Sequence, residues 1–210
     1  MKKTLCLLCL LMCLGGSAWA QATRQPHSIV IQTGLGYGAF PGLIADVTTG
    51  HRIVALGADW KYAFAEHWAL LTGLDFHYYH FKGYSYHDGI PHPFTKSVTV
   101  LRLPVRLEYQ KRWFYLAFGP YVERDLGNYF SGSITELATI GPTTEIGGKI
   151  RLTETSRLRI GLQTSVGVAI GINNNYHQLV LQQVEASCLL RIGYEFVISH
   201  SKEHHHHEKN

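Results

Sequence analysis

The sequence predicts an all-β fold, an eight-stranded antiparallel transmembrane β-barrel that follows a cleaved signal peptide. Three observations predict it. Eight segments alternate between apolar and polar residues, the connections alternate between long and short, and the charged residues stay on one face of the segments. Alternation with a period of two indicates strands whose faces meet different media. Long loops at one end and short turns at the other are typical of outer-membrane barrels.

Residues 1–20 are predicted to be a secretory signal peptide. Lys2 and Lys3 precede an apolar run over residues 4–14, and residues 18–20 (Ala-Trp-Ala) form a small-x-small cleavage site. The apolar run is too short to cross a bilayer as a helix. The predicted organisation is a signal peptide over 1–20, a barrel domain over 21–198 and a His-rich periplasmic tail over 199–210.

The composition that remains after cleavage excludes several classes of protein. Loss of Lys2 and Lys3 lowers the formal net charge from +4 to +2, so no nucleic acid partner is indicated. Cys188 is the one cysteine outside the signal peptide, so no internal disulfide is expected. No later apolar run reaches about 18 residues, so a membrane-inserted form would have to be a closed barrel.

The eight predicted strands are long for a soluble protein. Most reach the roughly 9–11 residues of a tilted membrane strand, whereas strands of globular proteins cluster near 5–6. The long connections are expected over 38–51, 81–97, 123–143 and 171–182, with short turns over 63–66, at Lys111 and over 153–156. This order places both termini in the periplasm. The predicted strands run over 28–37, 52–62, 67–79, 98–109, 112–122, 144–152, 157–170 and 183–196.

The two faces of these strands differ in charge. In the strand over 98–109, Leu103 and Val105 share one face while Arg102 and Arg106 lie on the other, and the remaining strands follow the same rule. Seven acids and seven bases share the charged face, Glu123 among them. Because a buried charge without a partner is strongly destabilising, we expect a plugged lumen with little or no channel activity. The predicted lumen charge network comprises Asp59, Lys61, Asp75, Arg102, Arg106, Glu108, Glu145, Lys149, Arg151, Arg159, Glu185, Arg191 and Glu195.

Alternation alone also fits a soluble sandwich or a lipocalin-like carrier. Three features favour lipid: the apolar face is uninterrupted, aromatic residues gather near strand ends, and small residues crowd the charged face. Aromatic girdles mark the two membrane interfaces, and a narrow eight-stranded barrel is filled by its own side chains. The expected partners are outer-membrane lipid, lipopolysaccharide and the barrel assembly machinery.

Motifs in the central hairpin resemble a known family. Leu103-Pro104, Glu108-Tyr109 and Gly119-Pro120-Tyr121 resemble positions of the small outer-membrane β-barrel family of Bacteroidetes, including the PorT-like proteins. The resemblance implies an eight-stranded barrel in the outer membrane of a Gram-negative bacterium and is silent on activity. One departure is that Phe196 is followed by residues 197–210, whereas many such barrels end on the aromatic residue read by the assembly machinery. Pro104 and Pro120 are each predicted to mark a bulge.

Two groups of residues could carry chemistry or recognition. Asp75, His77 and Tyr79 share one face of the third strand. In the enzyme alternative His77 acts as a general base oriented by Asp75, but no nucleophile is tied to them by spacing. The third long connection holds residues suited to a protein or glycan partner, and its histidines match no compact metal pattern. These candidate recognition residues are Tyr84, Tyr86, His87, His92 and Phe94.

The predicted function is that of an integral outer-membrane barrel with a non-enzymatic, structural or partner-binding role and no cofactor or metal. A lipid- or lipopolysaccharide-modifying enzyme centred on Asp75 and His77 is the first alternative. A soluble periplasmic lipocalin-like carrier is the second.

Overall fold

The computed structural model describes residues 27–39, 50–87, 90–126, 134–173 and 178–198. The predicted signal peptide over 1–20, the start of the mature chain and the His-rich tail over 199–210 lie outside the described residues, as do parts of all four predicted long loops. Within the described ranges no helix is long and apolar enough to cross a membrane.

Eight antiparallel strands close into one barrel in chain order, which confirms the predicted fold class. The barrel closes where β1 pairs with β8, from His27 opposite Ile198 to Ala39 opposite Ala186. The strands are β1 (His27–Ala39), β2 (Gly50–Ala63), β3 (Trp68–His87), β4 (Ile90–Lys111), β5 (Phe114–Asp125), β6 (Ile134–Arg151), β7 (Ser156–Asn173) and β8 (Gln178–Ile198).

The two ends of the barrel differ in their connections. The turn end carries the short connections over 64–67, 112–113 and 152–155, together with the start of β1 and the end of β8. The loop end carries the other four connections. In an outer-membrane barrel the turn end faces the periplasm.

The strands reach further towards the loop end than the sequence predicted. The connection expected over 81–97 is mostly paired strand, because the β3–β4 ladder continues to His87 opposite Ile90. β6 also begins at Ile134 and β8 at Gln178, so the loops expected over 123–143 and 171–182 are shorter than predicted. Glycines and prolines signal loops locally, but cross-strand pairing satisfies the backbone groups of these segments and keeps them extended.

The predicted bulges at Pro104 and Pro120 are wrong. The β3–β4 ladder stops after Thr72 opposite Val105 and resumes at Asp75 opposite Arg102 with the same offset. The β4–β5 ladder is interrupted beside Pro120 in the same way, and the β6–β7 ladder beside Pro142. Proline removes a ladder hydrogen bond because it has no N–H, and here no residue is inserted to compensate. Register shifts occur elsewhere, at 136–138 of β6 and 169–170 of β7.

The polarity of the barrel is inverted relative to a soluble protein. In β4, Leu103 and Val105 point outward and are 49% and 46% exposed, while Arg102 and Arg106 point inward and are 0% exposed. Most Leu and Ile side chains of the other described strands are likewise outward and exposed, and Ile53, Leu71 and Leu189 are inward exceptions. A closed ring of strands with an apolar outside and an ionic inside satisfies its backbone internally and suits hydrocarbon. The prediction that every strand charge lies on one face is wrong at Arg52, which faces outward where β2 begins near the loop end. Arg124 also faces outward, where β5 ends.

Candidate functional site

The interior of the barrel holds a network of charged side chains in three layers stacked along its axis. Its four central arginines, Arg102, Arg106, Arg159 and Arg191, are each at most 1% exposed. The inward phase of the strands positions them, since alternate residues of a strand face the lumen.

The layer nearest the turn end is built around two carboxylates. Glu108 Oε1 lies 2.7 Å from Lys61 Nζ and 2.6 Å from Lys149 Nζ. Glu195 pairs with the same two lysines at 2.9 and 3.3 Å. Arg159 joins them, with its NH1 atom 2.7 Å from Glu108 Oε2. Strands β2, β4, β6, β7 and β8 are thereby tied together across the lumen.

The middle layer is centred on Arg106. Its NH1 atom donates to Glu145 Oε2 at 2.6 Å, and its NH2 atom pairs with Asp59. Gln32 Nε2 donates to the same carboxylate of Asp59 at 2.6 Å. The Tyr115 hydroxyl donates to Glu145 Oε1 at 2.5 Å. Each acid of this layer is therefore shared between a cation and a neutral donor.

The layer nearest the loop end contains two arginine clusters. One is the bidentate pair of Arg191 with Asp75, at 2.9 Å for both contacts, in which Arg191 also donates to Gln163. The other is Arg102, whose Nε donates to Glu123 Oε2 at 2.7 Å and whose NH1 donates to Ser165 Oγ at 3.0 Å. The Tyr79 hydroxyl donates to Glu123 and accepts from Arg102 at 3.2 Å.

An apolar cluster lies on the inward face of the barrel in its loop-end half. Val98 and Val100 of β4 point inward here, although most apolar residues of the barrel point outward. The cluster is formed by Ile53, Ala55, Tyr79, Phe81, Val98, Val100 and Leu189. The apolar cluster was not predicted from the sequence, because the same residue types also form the lipid-facing surface.

The structure places twelve of the thirteen predicted network residues inside the barrel and buries them. The exception is Arg151, which is exposed at the turn end and donates to the backbone oxygen of Thr153 at 3.2 Å. It is the last residue of β6, so its side chain lies beyond the filled part of the lumen. Neutral members that sequence analysis missed, such as Gln32, Tyr115 and Gln163, could have been found from their inward phase.

The predicted catalytic alternative has a geometry unlike that of a general base. Asp75 gives both of its oxygens to Arg191, and His77 Nε2 lies 3.9 Å from Asp75 Oδ2. Both side chains are 0% exposed. The Tyr79 hydroxyl lies 3.5 Å from His77 Nδ1. General-base catalysis needs direct or water-mediated contact with a substrate, and neither side chain is exposed among the described residues.

The candidate recognition residues all lie in the β3–β4 ladder, where Tyr84 is opposite Pro93 and His87 is opposite Ile90. They are Tyr84, Tyr86, His87, His92 and Phe94. The orientations of their side chains lie outside what the structure describes. Among the described residues, no group of three or more His, Cys, Asp or Glu side chains could hold a metal ion.

The described residues also form a groove on the outer wall and a pocket at the turn end. A groove of about 940 Å³ follows the outward face where Pro120 lies opposite Pro142, and its lining is mainly apolar. A smaller pocket of about 330 Å³ opens at the turn end, where Lys149, Arg151 and Arg157 line it.

Comparison with known proteins shows the fold. No family model and no curated protein matches this chain. It is similar to the solved outer membrane protein OprG from Pseudomonas aeruginosa, with a TM-score of 0.59 and 12% identity over 86% of this chain and 99% of that chain. It is also similar to the outer membrane protein AlkL in lipid bilayers, with a TM-score of 0.53 and 13% identity over 86% of this chain and 93% of that one. The inverted polarity of the barrel and this shared fold make the chain a small integral outer-membrane β-barrel.

Proposed function

We propose that this barrel is a non-enzymatic, non-conducting protein of the Gram-negative outer membrane that binds a protein partner at its loop end. The proposal of a closed lumen is supported by four buried arginines that are paired with carboxylates, namely Arg102, Arg106, Arg159 and Arg191. An open pore keeps its lining charges in water, whereas these charges are satisfied by one another. The apolar cluster adds a second barrier above them.

The partner-binding part of the proposal rests on a two-stranded ribbon at the loop end. The β2–β3 ladder ends with His51 opposite Phe81, and the β4–β5 ladder ends with Val100 opposite Asp125. The β3–β4 ladder continues beyond both, from Lys82 opposite Thr95 to the end of the hairpin. Residues 82–87 and 90–95, the β3–β4 ribbon, therefore have no further strand neighbour among the described residues.

An unpaired strand edge is a template for another chain. Its free N–H and C=O groups can pair with an extended segment of a partner, a mode known as strand addition. The ribbon sequence holds Tyr84, Tyr86 and Phe94, residue types that supply large contact areas in interfaces. A protein partner uses both features, which is why we favour it over a glycan.

Two measurements test the proposal. Purified protein in a planar bilayer is expected to give no steady conductance, and stable ohmic steps from the wild type would contradict the closed lumen.

A photo-crosslinking residue in place of the exposed Thr95 is expected to give a discrete adduct in cells that is sensitive to protease. The matched control is the same residue in place of the exposed Glu154 at the turn end, which is expected to give none. Adducts that resist protease but lose mass with glycosidase would favour a glycan instead.

Assignment to the PorT-like group of Bacteroidetes barrels belongs to the same proposal. Its support is the motif pattern, in which Leu103-Pro104 pairs directly with Tyr121-Val122 in the β4–β5 ladder. A sequence profile of the PorT-like group that leaves these positions unmatched would contradict it.

A further inference from the structure

The turn-end mouth of the barrel carries more positive charge than its described carboxylates neutralise. We propose that this mouth binds an oxyanion, a phosphate or carboxylate group held between Arg112, Arg151 and Arg157. This site lies at the opposite end of the barrel from the loop-end ribbon, and it borders the turn-end layer of the buried network through Lys149.

A cavity of suitable size and composition is present there. The pocket of about 330 Å³ spans the mouth between the β2–β3, β4–β5 and β6–β7 turns. Arg112 lines it from the β4–β5 turn, Arg151 and Arg157 from the β6–β7 turn, and Lys149 from below. A water molecule occupies about 30 Å³ in the liquid, so the pocket has room for an anion with part of its hydration shell.

The ladder beside the pocket sets like charges against each other. Arg151 lies directly opposite Arg157 in β6–β7, and Lys149 lies directly opposite Arg159. Like charges in this relationship destabilise a sheet unless something neutralises them. Lys149 and Arg159 are neutralised, because both contact Glu108 and Glu195.

The outer pair lacks this compensation. Among the described residues, the ion pair of Arg157 is with the Oε1 atom of Glu195, at 3.7 Å, and that carboxylate already pairs with Lys61, Lys149 and Arg159. Arg151 contacts the backbone oxygen of Thr153 and forms no ion pair within the part of the chain that the structure describes. Glu66 of the facing turn also lines the pocket, but its side chain is 82% exposed and its described ion pair is with His67, at 4.0 Å.

The backbone at Arg112 is an independent indication. Its φ angle is 55°, and among the described residues it is the one non-glycine with a positive φ. It is the first of two residues in the tight β4–β5 turn, a place where glycine is unstrained and an L side chain is not. Residues held in such conformations cluster at functional sites. Here the strained residue places a guanidinium at the edge of the pocket.

The chemistry of the site follows from its donors. Guanidinium groups present paired N–H donors that match the oxygens of phosphate and carboxylate, and charge-assisted bonds of this kind are the strongest available to a side chain. A dissolved phosphate, a phospholipid headgroup and a carboxylate of residues 199–210 share this chemistry.

The test is isothermal titration calorimetry. The full-length mature protein in neutral detergent is titrated with inorganic phosphate at constant ionic strength, and the binding affinity is measured. Saturable binding is expected, with a loss of at least tenfold in affinity in R151Q/R157Q. The matched control is R52Q/R124Q, which removes two exposed arginines at the loop end and is expected to leave affinity unchanged. Non-saturable binding, or equal loss in both double variants, would overturn the proposal. Heat-modifiable gel migration reports whether each variant is folded.

Arg112→Gly gives a second readout that a purely structural role would not produce. Relief of the positive φ is expected to raise resistance to urea, while phosphate affinity falls. An affinity equal to that of the wild type would overturn the assignment of Arg112 to the site. Phosphatidylglycerol in the micelle and the E203Q/E208Q variant identify the natural source. Competition by the lipid supports a headgroup, and tighter phosphate binding in the variant supports the tail.

Discussion

Arg191 of β8 and Asp75 of β3 form a bidentate ion pair across the lumen, although 116 residues separate them in the chain. Both side chains are withdrawn from solvent, and Gln163 of β7 contacts the same guanidinium. β3 and β8 are not neighbours in the barrel, since β1 and β2 lie between them. The pair therefore connects two non-adjacent strands through the lumen, whereas ladder hydrogen bonds connect only adjacent strands.

Removal of one partner of this pair is expected to be costly. Asp75→Asn leaves the Arg191 charge buried without compensation, which destabilises a folded protein by about 3–5 kcal/mol. The free energy of unfolding, measured in urea with the protein in detergent or lipid, reports the loss. The double variant D75L/R191M is the control, because an apolar pair of similar volume is expected to recover most of the stability. A double variant as unstable as D75N would contradict this account.

The glycine pair beneath Tyr115 is expected to tolerate no side chain. Gly147 and Gly161 lie opposite each other in β6–β7, and a Cβ on Gly161 would collide with the Tyr115 hydroxyl and crowd Glu145. Gly161→Ala is expected to lower the free energy of unfolding by about 1–3 kcal/mol through overpacking. Gly148→Ala is the matched control in the same strand pair, since its Cβ would meet Trp113 at an ordinary 3.5 Å. Equal effects at the two positions would refute the packing argument.

The outward face is expected to be inaccessible to reagents confined to water. Single cysteines at Leu103, Leu162 and Ile192, in a chain with Cys188→Ser, should resist a membrane-impermeant maleimide when the protein is in a bilayer. A cysteine at Glu154 is the control, because it lies in an exposed turn and should react when the reagent can reach that side. Labelling of the three wall positions in folded protein would mean that the barrel is not embedded in lipid.

The enzyme alternative makes an opposite prediction for His77. If the barrel modifies lipid or lipopolysaccharide, His77→Ala should change the lipid A profile of cells as much as deletion of the gene does. We expect an unchanged profile, because His77 is 0% exposed and Asp75 is committed to Arg191. Mass spectrometry of extracted lipid A decides the question. Glu154→Gln, a substitution in the exposed turn at the other end of the barrel, controls for effects of expression.

The loop-end half of the candidate site shows where local reading of the sequence fails. Pro91 and Pro93 signalled a loop, yet they lie opposite Tyr86 and Tyr84 in the β3–β4 ladder. Val98 and Val100 share the inward phase of Arg102, but their contact with inward apolar residues of other strands was not predicted. Both features depend on what a strand meets across the barrel, and a residue's own type does not encode it.

The sequence by itself determined the strand number, the alternation and the face on which each charge lies. A period of two commits every second residue of a strand to one side, whatever its neighbours are. The tertiary structure decided which charges meet. Closure of the sheet staggers the strands around the axis, and this stagger brings Asp75 level with Arg191 and sets Arg151 beyond the filled lumen. Partner choice is a property of the closed barrel, because residues of strands that are not adjacent meet only once the sheet has closed.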